Sequence, residues 1–471
     1  MATKIQIANG FYESRSLPLS NQECVNFYVH TPQTQGTLSD RVLFGTPGLE
    51  EVVETSNPRD ANRGSFEMGG IAYFVNGTKL YSVDSEYTRT EIGTISGDGR
   101  VSMASNGTQL MILVPDDSLS LGYIYSVAGG LAAISDGDFT ASGNPQMVVF
   151  IDSYFACVTD EDKWIISDPN DGTSWDALMF STAESSPDPI VSLAVVKNQI
   201  YIIGSTTTEG FQDIGGAGFP FQRSGLFLGT GCVAKFSVIS TGDNFFMVGA
   251  KKNETPAIWM FNGNNYEKIS TPAIDAYINS LDPSTLQDCF ALYHAEAGDY
   301  FVCFAFSETT FCYNTVNGTW HERKSWVDSV FTRWRVNSIV SIAGVNLVGD
   351  VYDGRIGRLS TLIYGEYDND IISTASAEVL SSSGEQFFIS KVTATLESGV
   401  GNSVVEEPEI SMAVSYNGRT YNKERTRKIG KKGEWNKKIS WTGLSLFKRF
   451  GYLKFRISDQ IKKVIIKIEV E

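Results

Sequence analysis

Strands that are apolar on both faces, strung between tight-turn signals, leave this chain few ways to fold. Ile71-Ala72-Tyr73-Phe74-Val75 runs into Asn76-Gly77 and then into Leu80-Tyr81-Ser82-Val83, and Asn-Gly returns at 106, 262 and 317. This pair readily adopts positive φ at both central positions of a two-residue hairpin, so each copy predicts a turn between paired strands. The runs Val148-Val149-Phe150-Ile151, Ile200-Tyr201-Ile202-Ile203 and Phe301 through Phe306 do not alternate apolar with polar residues. A hairpin sheet tolerates this when both of its faces are covered, as they are when sheets stack radially on their neighbours. A two-sheet sandwich would leave more polar faces. Hairpin units are marked near 71–83, 100–127, 146–176, 190–222, 234–270, 288–325 and 338–360. Seven units across residues 71–362 give a spacing of about 42 residues, the size of a four-stranded propeller blade.

The expected fold class is therefore all-β: a six- or seven-bladed β-propeller with a C-terminal β-sandwich-like domain. Residues 1–64 read as an N-terminal extended or β segment joining the ring, 65–365 as the propeller, and 366–471 as a C-terminal basic β domain. One helix is predicted near 272–281, capped by Thr271, begun by Pro272 and ended by Asp282-Pro283, and expected to lie over the propeller rim. In the closing strand Val464, Ile466, Ile468 and Val470 are expected on one face, with Lys463, Lys467, Glu469 and Glu471 on the other. Leu453, Phe455 and Ile457 alternate in the same way with Lys454 and Arg456.

Net charge is −16, which argues against a general nucleic-acid binder or a membrane-surface protein. The charge is unevenly spread. From 401 onward there are 16 Lys and Arg against 8 Asp and Glu, whereas residues 1–400 hold 22 against 46. No apolar run is long enough to span a bilayer and the N-terminus has no apolar core of signal-peptide length, so synthesis and retention in a cytoplasm are expected. Cys24, Cys157, Cys232, Cys289, Cys303 and Cys312 form no CxxC pair and read as buried free thiols. His30, His294 and His321 lack metal-ligand spacing, so no metal or other cofactor is expected.

No motif announces catalysis. Ser167 to Trp175 resembles the Asp-box turn of sialidase-type propellers with its spacing off by one, and such a turn is structural. Arg333, Arg335, Arg355 and Arg358 are dense, but no spacing ties them to a carboxylate-binding site. Gly215-Gly216-Ala217-Gly218 and Gly229-Thr230-Gly231 lack the strand and helix context of phosphate loops, and no GxSxG elbow occurs. No catalytic residue is assigned, and the chain is not read as an enzyme. The strongest charge feature is Arg419, Lys423, Arg425, Arg427, Lys428, Lys431 and Lys432, followed by Lys437 and Lys438 beyond Trp435. It reads as a solvated hairpin, as a docking surface for an acidic protein face, or as a contact for nucleic-acid phosphates.

Several segments in order resemble the tail hub or nozzle proteins of short-tailed bacteriophages, the podovirus tail-accessory proteins also described as packaged-DNA stabilisation proteins. They are Arg15 to Ser20, Glu23-Cys24-Val25-Asn26-Phe27-Tyr28, Leu43-Phe44-Gly45-Thr46-Pro47-Gly48-Leu49 and Gly99 to Ala104. Further along come Ala183-Glu184-Ser185 with Pro187-Asp188, Gly229-Thr230-Gly231-Cys232, and Ile269-Ser270-Thr271 with Ala273-Ile274. The resemblance implies a virion tail protein, assembled in the bacterial host cytoplasm as a ring of six beneath the portal and its head-to-tail adaptor. Such a ring extends and closes the DNA exit channel, helps retain packaged DNA, and carries fibres, spikes or a needle. DNA would pass without sequence-specific binding. The alternative from a different class is a carbohydrate-binding or glycan-degrading propeller, suggested by eight Trp, 20 Tyr and the Asp-box-like turn. A weaker third reading is DNA binding through the basic stretch.

Overall fold

The computed structural model describes residues 2–34, 36–53, 60–115, 121–183, 186–216, 218–367, 369–444 and 446–471. Glu184, Ser185 and Ala217, which figure in the sequence motifs above, lie outside the described residues. The chain forms two compact units. One comprises Glu51–His294 and Arg335–Arg358; the other gathers Met1–Glu50, Ala295–Trp334 and Leu359–Glu471.

The first unit is a succession of antiparallel sheets, and its packing explains the two-faced strands. In the opening sheet Tyr73 and Val75 face the next sheet, meeting Leu110, Ile112 and Val114. Ala72 and Phe74, one residue out of phase, face the sheet of Val336–Ile342 and Val345–Asp350, meeting Val340, Ile342 and Leu347. The same division recurs along the chain. Met111 and Leu113 turn toward Phe155 and Cys157, Ala156 and Val158 toward Ile200 and Ile202, and Tyr201 and Ile203 toward Phe245 and Met247. Each strand therefore spends both faces on burial, and each large apolar side chain so placed contributes about 1.5–3 kcal/mol. The all-β blade architecture expected from the sequence is present.

The turns differ from expectation in an informative way. At Asn76-Gly77 only Gly77 has positive φ, and Asn76 pairs with Lys79 as the last strand residue. Glycine is thus the first central residue, because the Asn76 side chain is held by Asn62 Nδ2 at 2.8 Å and donates to the Gly354 carbonyl at 3.0 Å. Two-residue turns with both positions left-handed do occur, but elsewhere. They join the first two strands of four sheets of this unit at Gly69-Gly70, Asp152-Ser153, Lys197-Asn198 and Ala343-Gly344. Thr271 caps the helix Pro272–Ile278 as expected, accepting from the Ile274 N–H. Asp282-Pro283 does not simply end it: Pro283 occupies the first position of a second short helix, Pro283–Gln287.

The second unit contains two facing sheets of a β-sandwich. One runs Ile439–Thr442, Lys391–Leu396, Val464–Val470, Val42–Gly45, Phe27–His30, with Thr3–Ile5 also paired to Val464–Val470. The other includes Ser373–Ser376, Phe450–Ile457, Glu409–Ser415 and Arg425–Lys428 in that order. Leu453, Phe455 and Ile457 are buried, while Lys454 pairs with Glu23 and Arg456 with Glu424. The closing strand departs from simple alternation. A register shift at Thr395/Leu396 brings Ile465 opposite Leu396 and buries it completely, and Lys463 is only 5% exposed rather than on a charged outer face. A one-residue slip exchanges the two faces of a strand locally: Ile465 turns inward at the shift, while Val464 and Ile468 are buried as expected.

Candidate assembly surface

The basic stretch begins beyond the strand Glu409–Ser415 and returns as the edge strand Arg425–Lys428, pairing Ile410 with Arg427 and Met412 with Arg425. Two of its arginines are structural. Arg425 donates to the Thr442 carbonyl at 2.6 Å and Arg427 Nε to the Ser440 carbonyl at 2.9 Å, both on the edge strand of the facing sheet. Trp441 is fully buried and returns a bond from its indole Nε1 to the Arg425 carbonyl at 2.6 Å. The arginines thus clasp the two sheets along one edge, where carbonyls otherwise lack ladder partners.

Two lysines are also engaged. Lys428 pairs with Glu407, and Lys431 reaches Glu406 at 3.0 Å and Glu407 at 3.5 Å. The hydrogen bond from Lys428 holds the Glu407 carboxyl below its ordinary range. Arg419, Lys423 and Lys432 are exposed and have no charge partner among the described residues. The seven-residue run therefore sorts into two clasps, two ion-paired lysines and three free cations. Sequence spacing identified the run but not this partition, which depends on glutamates and carbonyls from other strands.

The N-terminal segments of the resemblance acquire a structural meaning. Asn26 is buried with φ of 53°. Its Nδ2 donates to the Lys324 carbonyl at 2.8 Å and to the Ile372 carbonyl at 2.9 Å, while its Oδ1 accepts from the Lys324 N–H at 3.0 Å. Val25 pairs in parallel with Glu322 and antiparallel with Thr374. One short segment thus splices strand Thr319–Val327 to strand Ser373–Ser376. Nearby, Gly48 N–H donates to the Ile363 carbonyl at 3.0 Å, and a Cβ at Gly48 would stand 2.4 Å from the Gly365 carbonyl oxygen. Arg323, buried and stacked 3.7 Å from the Trp334 ring centroid, donates to the Pro47 carbonyl at 2.5 Å.

The features weighed for catalysis are built into the framework. In the Asp-box-like turn, Asp171 Oδ1 accepts from Thr173 N–H at 3.0 Å, and Trp175 donates to the Gly172 carbonyl at 2.9 Å while packing 4.9 Å from Phe139. Arg335 is paired with buried Asp350 at 2.5 Å, and Arg355 with Asp353 at 2.7 Å. All six cysteines are free and buried, as the sequence suggests. Burial pushes the thiols of Cys24, Cys157 and Cys232 upward, away from a reactive thiolate. Among the described residues no group of three His, Cys, Asp or Glu side chains is placed to hold a metal ion. No helix among them is long and apolar enough to cross a membrane.

Two family models match the chain in tandem: the bacteriophage P22 Gp10 β-propeller over residues 3–364 and the bacteriophage P22 Gp10 β-sandwich over residues 374–471. The tail hub protein gp10 of Salmonella phage P22 is 26% identical over 216 residues, covering 44% of this chain and 45% of that protein. The chain thus matches about half the length of this curated relative. Among solved structures, virginiamycin B lyase from Staphylococcus aureus is similar at a TM-score of 0.45 and 10% identity, over 66% of this chain and 98% of the lyase. The WD40 β-propeller domain of Doa1 gives a TM-score of 0.41 at 12% identity, over 67% and 97% respectively.

Proposed function

This chain belongs to the bacteriophage P22 Gp10 family, a β-propeller followed by a β-sandwich, and from that premise we propose that it is a structural tail hub of a short-tailed phage virion. The carrying observation is the tandem match, propeller then sandwich, along nearly the whole chain. The role is mechanical: identical copies, six in number, close into a ring below the portal and its adaptor, extend the DNA exit channel and help retain packaged DNA. The ring serves as a platform for fibres, spikes or a needle, and assembly takes place in the host cytoplasm. On this reading residues 65–365 supply the propeller, 366–471 the basic sandwich, and 1–64 the N-terminal β segment joining the ring, three of whose strands also pair in the sandwich sheet.

Two physical features support this reading. Blades that bury both faces make a stiff wall, since opening one exposes its neighbours. The acidic excess of residues 1–400 repels the DNA backbone within a Debye length, about 8 Å at physiological salt, so DNA slides past rather than sticking. Ring closure by identical copies repeats one heterologous interface by rotation. Arg419, Lys423 and Lys432 are the cations available to meet acidic surface on the next copy or on the adaptor. Imaging of purified tails by electron microscopy tests the proposal: density for this chain as a six-fold ring on the channel axis is expected. Its absence from virions would refute the reading.

A further inference from the structure

Three surface hollows in the sandwich-bearing unit are joined by shared walls. The first, ~410 Å³, is lined by Tyr28, Phe44, Leu362, Tyr364, Ile371 and Ile461 among others. The second, ~460 Å³, shares Tyr364 and Lys462 with it, and the third, ~450 Å³, shares Trp435 with the second. Through these shared residues the three hollows follow one another from the apolar lining around Phe44 and Ile461 to the turn Gly433–Lys437, and they are taken together as one trough. Two exposed apolar side chains stand along it, Leu362 at 77% and Trp435 at 64%.

Trp435 is held in place despite this exposure. Ser398 Oγ donates to its carbonyl at 2.6 Å, and Gly399, with φ of 75°, lies so close that a Cβ would be 2.9 Å from Trp435 Cε3. Glu434 fixes the preceding turn by accepting from the Lys431 N–H at 3.0 Å and from Lys437 Nζ at 3.1 Å. A rigid, exposed indole beside a cation is the composition of an interface hot spot, because it gains contact area at little cost in conformational entropy.

The charges along the trough favour an anionic occupant. Lys432, Lys437 and Lys462 line it against Glu397 and Glu434; Lys463 lines it too, but its Nζ is turned inward to the Ile371 carbonyl and Ser373 Oγ. Both glutamates are already neutralised, Glu397 by Lys462 at 2.9 Å and Glu434 by Lys437 at 3.1 Å. Lys432 has no charge partner among the described residues. Asn402, the amide of the middle hollow, is spent: its Oδ1 accepts from the Val404 and Val405 N–H groups and its Nδ2 donates to the Gln460 carbonyl. With that amide spent, side-chain partners for the hydroxyls of a sugar polymer are scarce in the middle hollow, whereas a peptide can seat an apolar side chain at one end and a carboxylate on Lys432. An extended peptide uses both ends.

We propose that this trough is a docking groove for an extended acidic segment of another protein, with a bulky apolar side chain in the Phe44–Leu362–Tyr364 hollow, its backbone passing Trp435, and a carboxylate on Lys432. The inference stands on one compact unit and does not depend on ring formation. The test uses the full chain and a fluorescein-labelled decapeptide of alternating Leu and Asp, followed by fluorescence anisotropy. Binding is expected, weakened about tenfold by Trp435→Ala and by Lys432→Glu, and changed less than about twofold by Lys423→Glu, which lies outside the groove. Circular dichroism identical to the parent verifies that the variants fold. Equal binding of a Leu-Lys decapeptide, indifference to both groove substitutions, or no binding of the acidic peptide would overturn the proposal. So would Trp435-dependent binding of oligogalacturonate in place of the peptide, since that would make the groove a glycan site.

Discussion

Asn26 carries more of the framework than any charged residue singled out from the sequence. It combines a left-handed backbone with three side-chain hydrogen bonds to main-chain groups, two on strand Thr319–Val327 and one at Ile372, just before strand Ser373–Ser376. Asn26→Ala should destabilise the chain by at least about 3 kcal/mol in urea unfolding, and Asn26→Gly by about 1 kcal/mol less, because glycine keeps the conformation while losing the bonds. Lys463 makes a different prediction. Its Nζ donates to the Ile371 carbonyl and to Ser373 Oγ, and burial pushes its pKa down to about 7, partly opposed by Asp370 and Asp459. The folded chain thus binds this proton more weakly than the unfolded one. Below about pH 7 both states are protonated and the full cost of burial is felt; between about 7 and 10.5 stability rises with pH by up to about 1.4 kcal/mol per unit. Replacing the residue by Met should therefore help most near pH 6 and progressively less toward pH 10.5. A Lys463→Met effect independent of pH would contradict the assignment.

At the level of the element, a two-residue turn with both positions left-handed recurs at the opening of four sheets, and its side chains explain why the sequence conceals it. Gly69-Gly70, Asp152-Ser153, Lys197-Asn198 and Ala343-Gly344 share one backbone conformation but no residue pattern. A non-glycine residue in the left-handed region costs about 1–2 kcal/mol. Ser153→Gly should raise the unfolding free energy by about 0.5–1 kcal/mol, net of glycine's greater freedom in the unfolded chain, as measured by chemical denaturation. Strand identity was far more legible than turn identity: Ile200 to Ile203 are apolar at every position because alternate residues meet different sheets, a pattern that local sequence carries directly. The inversion that buries Lys463 was not legible, since it follows from a bulge in the strand pairing and not from the closing strand's own residues. The same holds for Asn26, whose partners lie about 300 residues away.

For the molecule as a whole, the charge asymmetry was plain in the sequence, while the division of the basic run into clasps, ion pairs and free cations required the fold. That division makes the assembly proposal specific. The combination Arg419→Glu, Lys423→Glu and Lys432→Glu should leave unfolding free energy within about 0.5 kcal/mol per site of the parent yet suppress oligomer formation in sedimentation velocity. Arg427→Glu should instead loosen the sandwich itself, because it removes a bond to the facing sheet. Unchanged oligomerisation in the triple variant would exclude these cations from the interface. The pairing of Thr3–Ile5 with Val464–Val470 carries a temporal consequence. During translation the earliest strand leaves the ribosome long before its mate is made, and the splice at Asn26 waits in the same way for Lys324 and Ile372. A nascent chain can stack blades as they emerge, but Thr3–Ile5 stays without its partner until Val464–Val470 is made, so a chain cut short before that strand would leave this sheet of the sandwich-bearing unit incomplete.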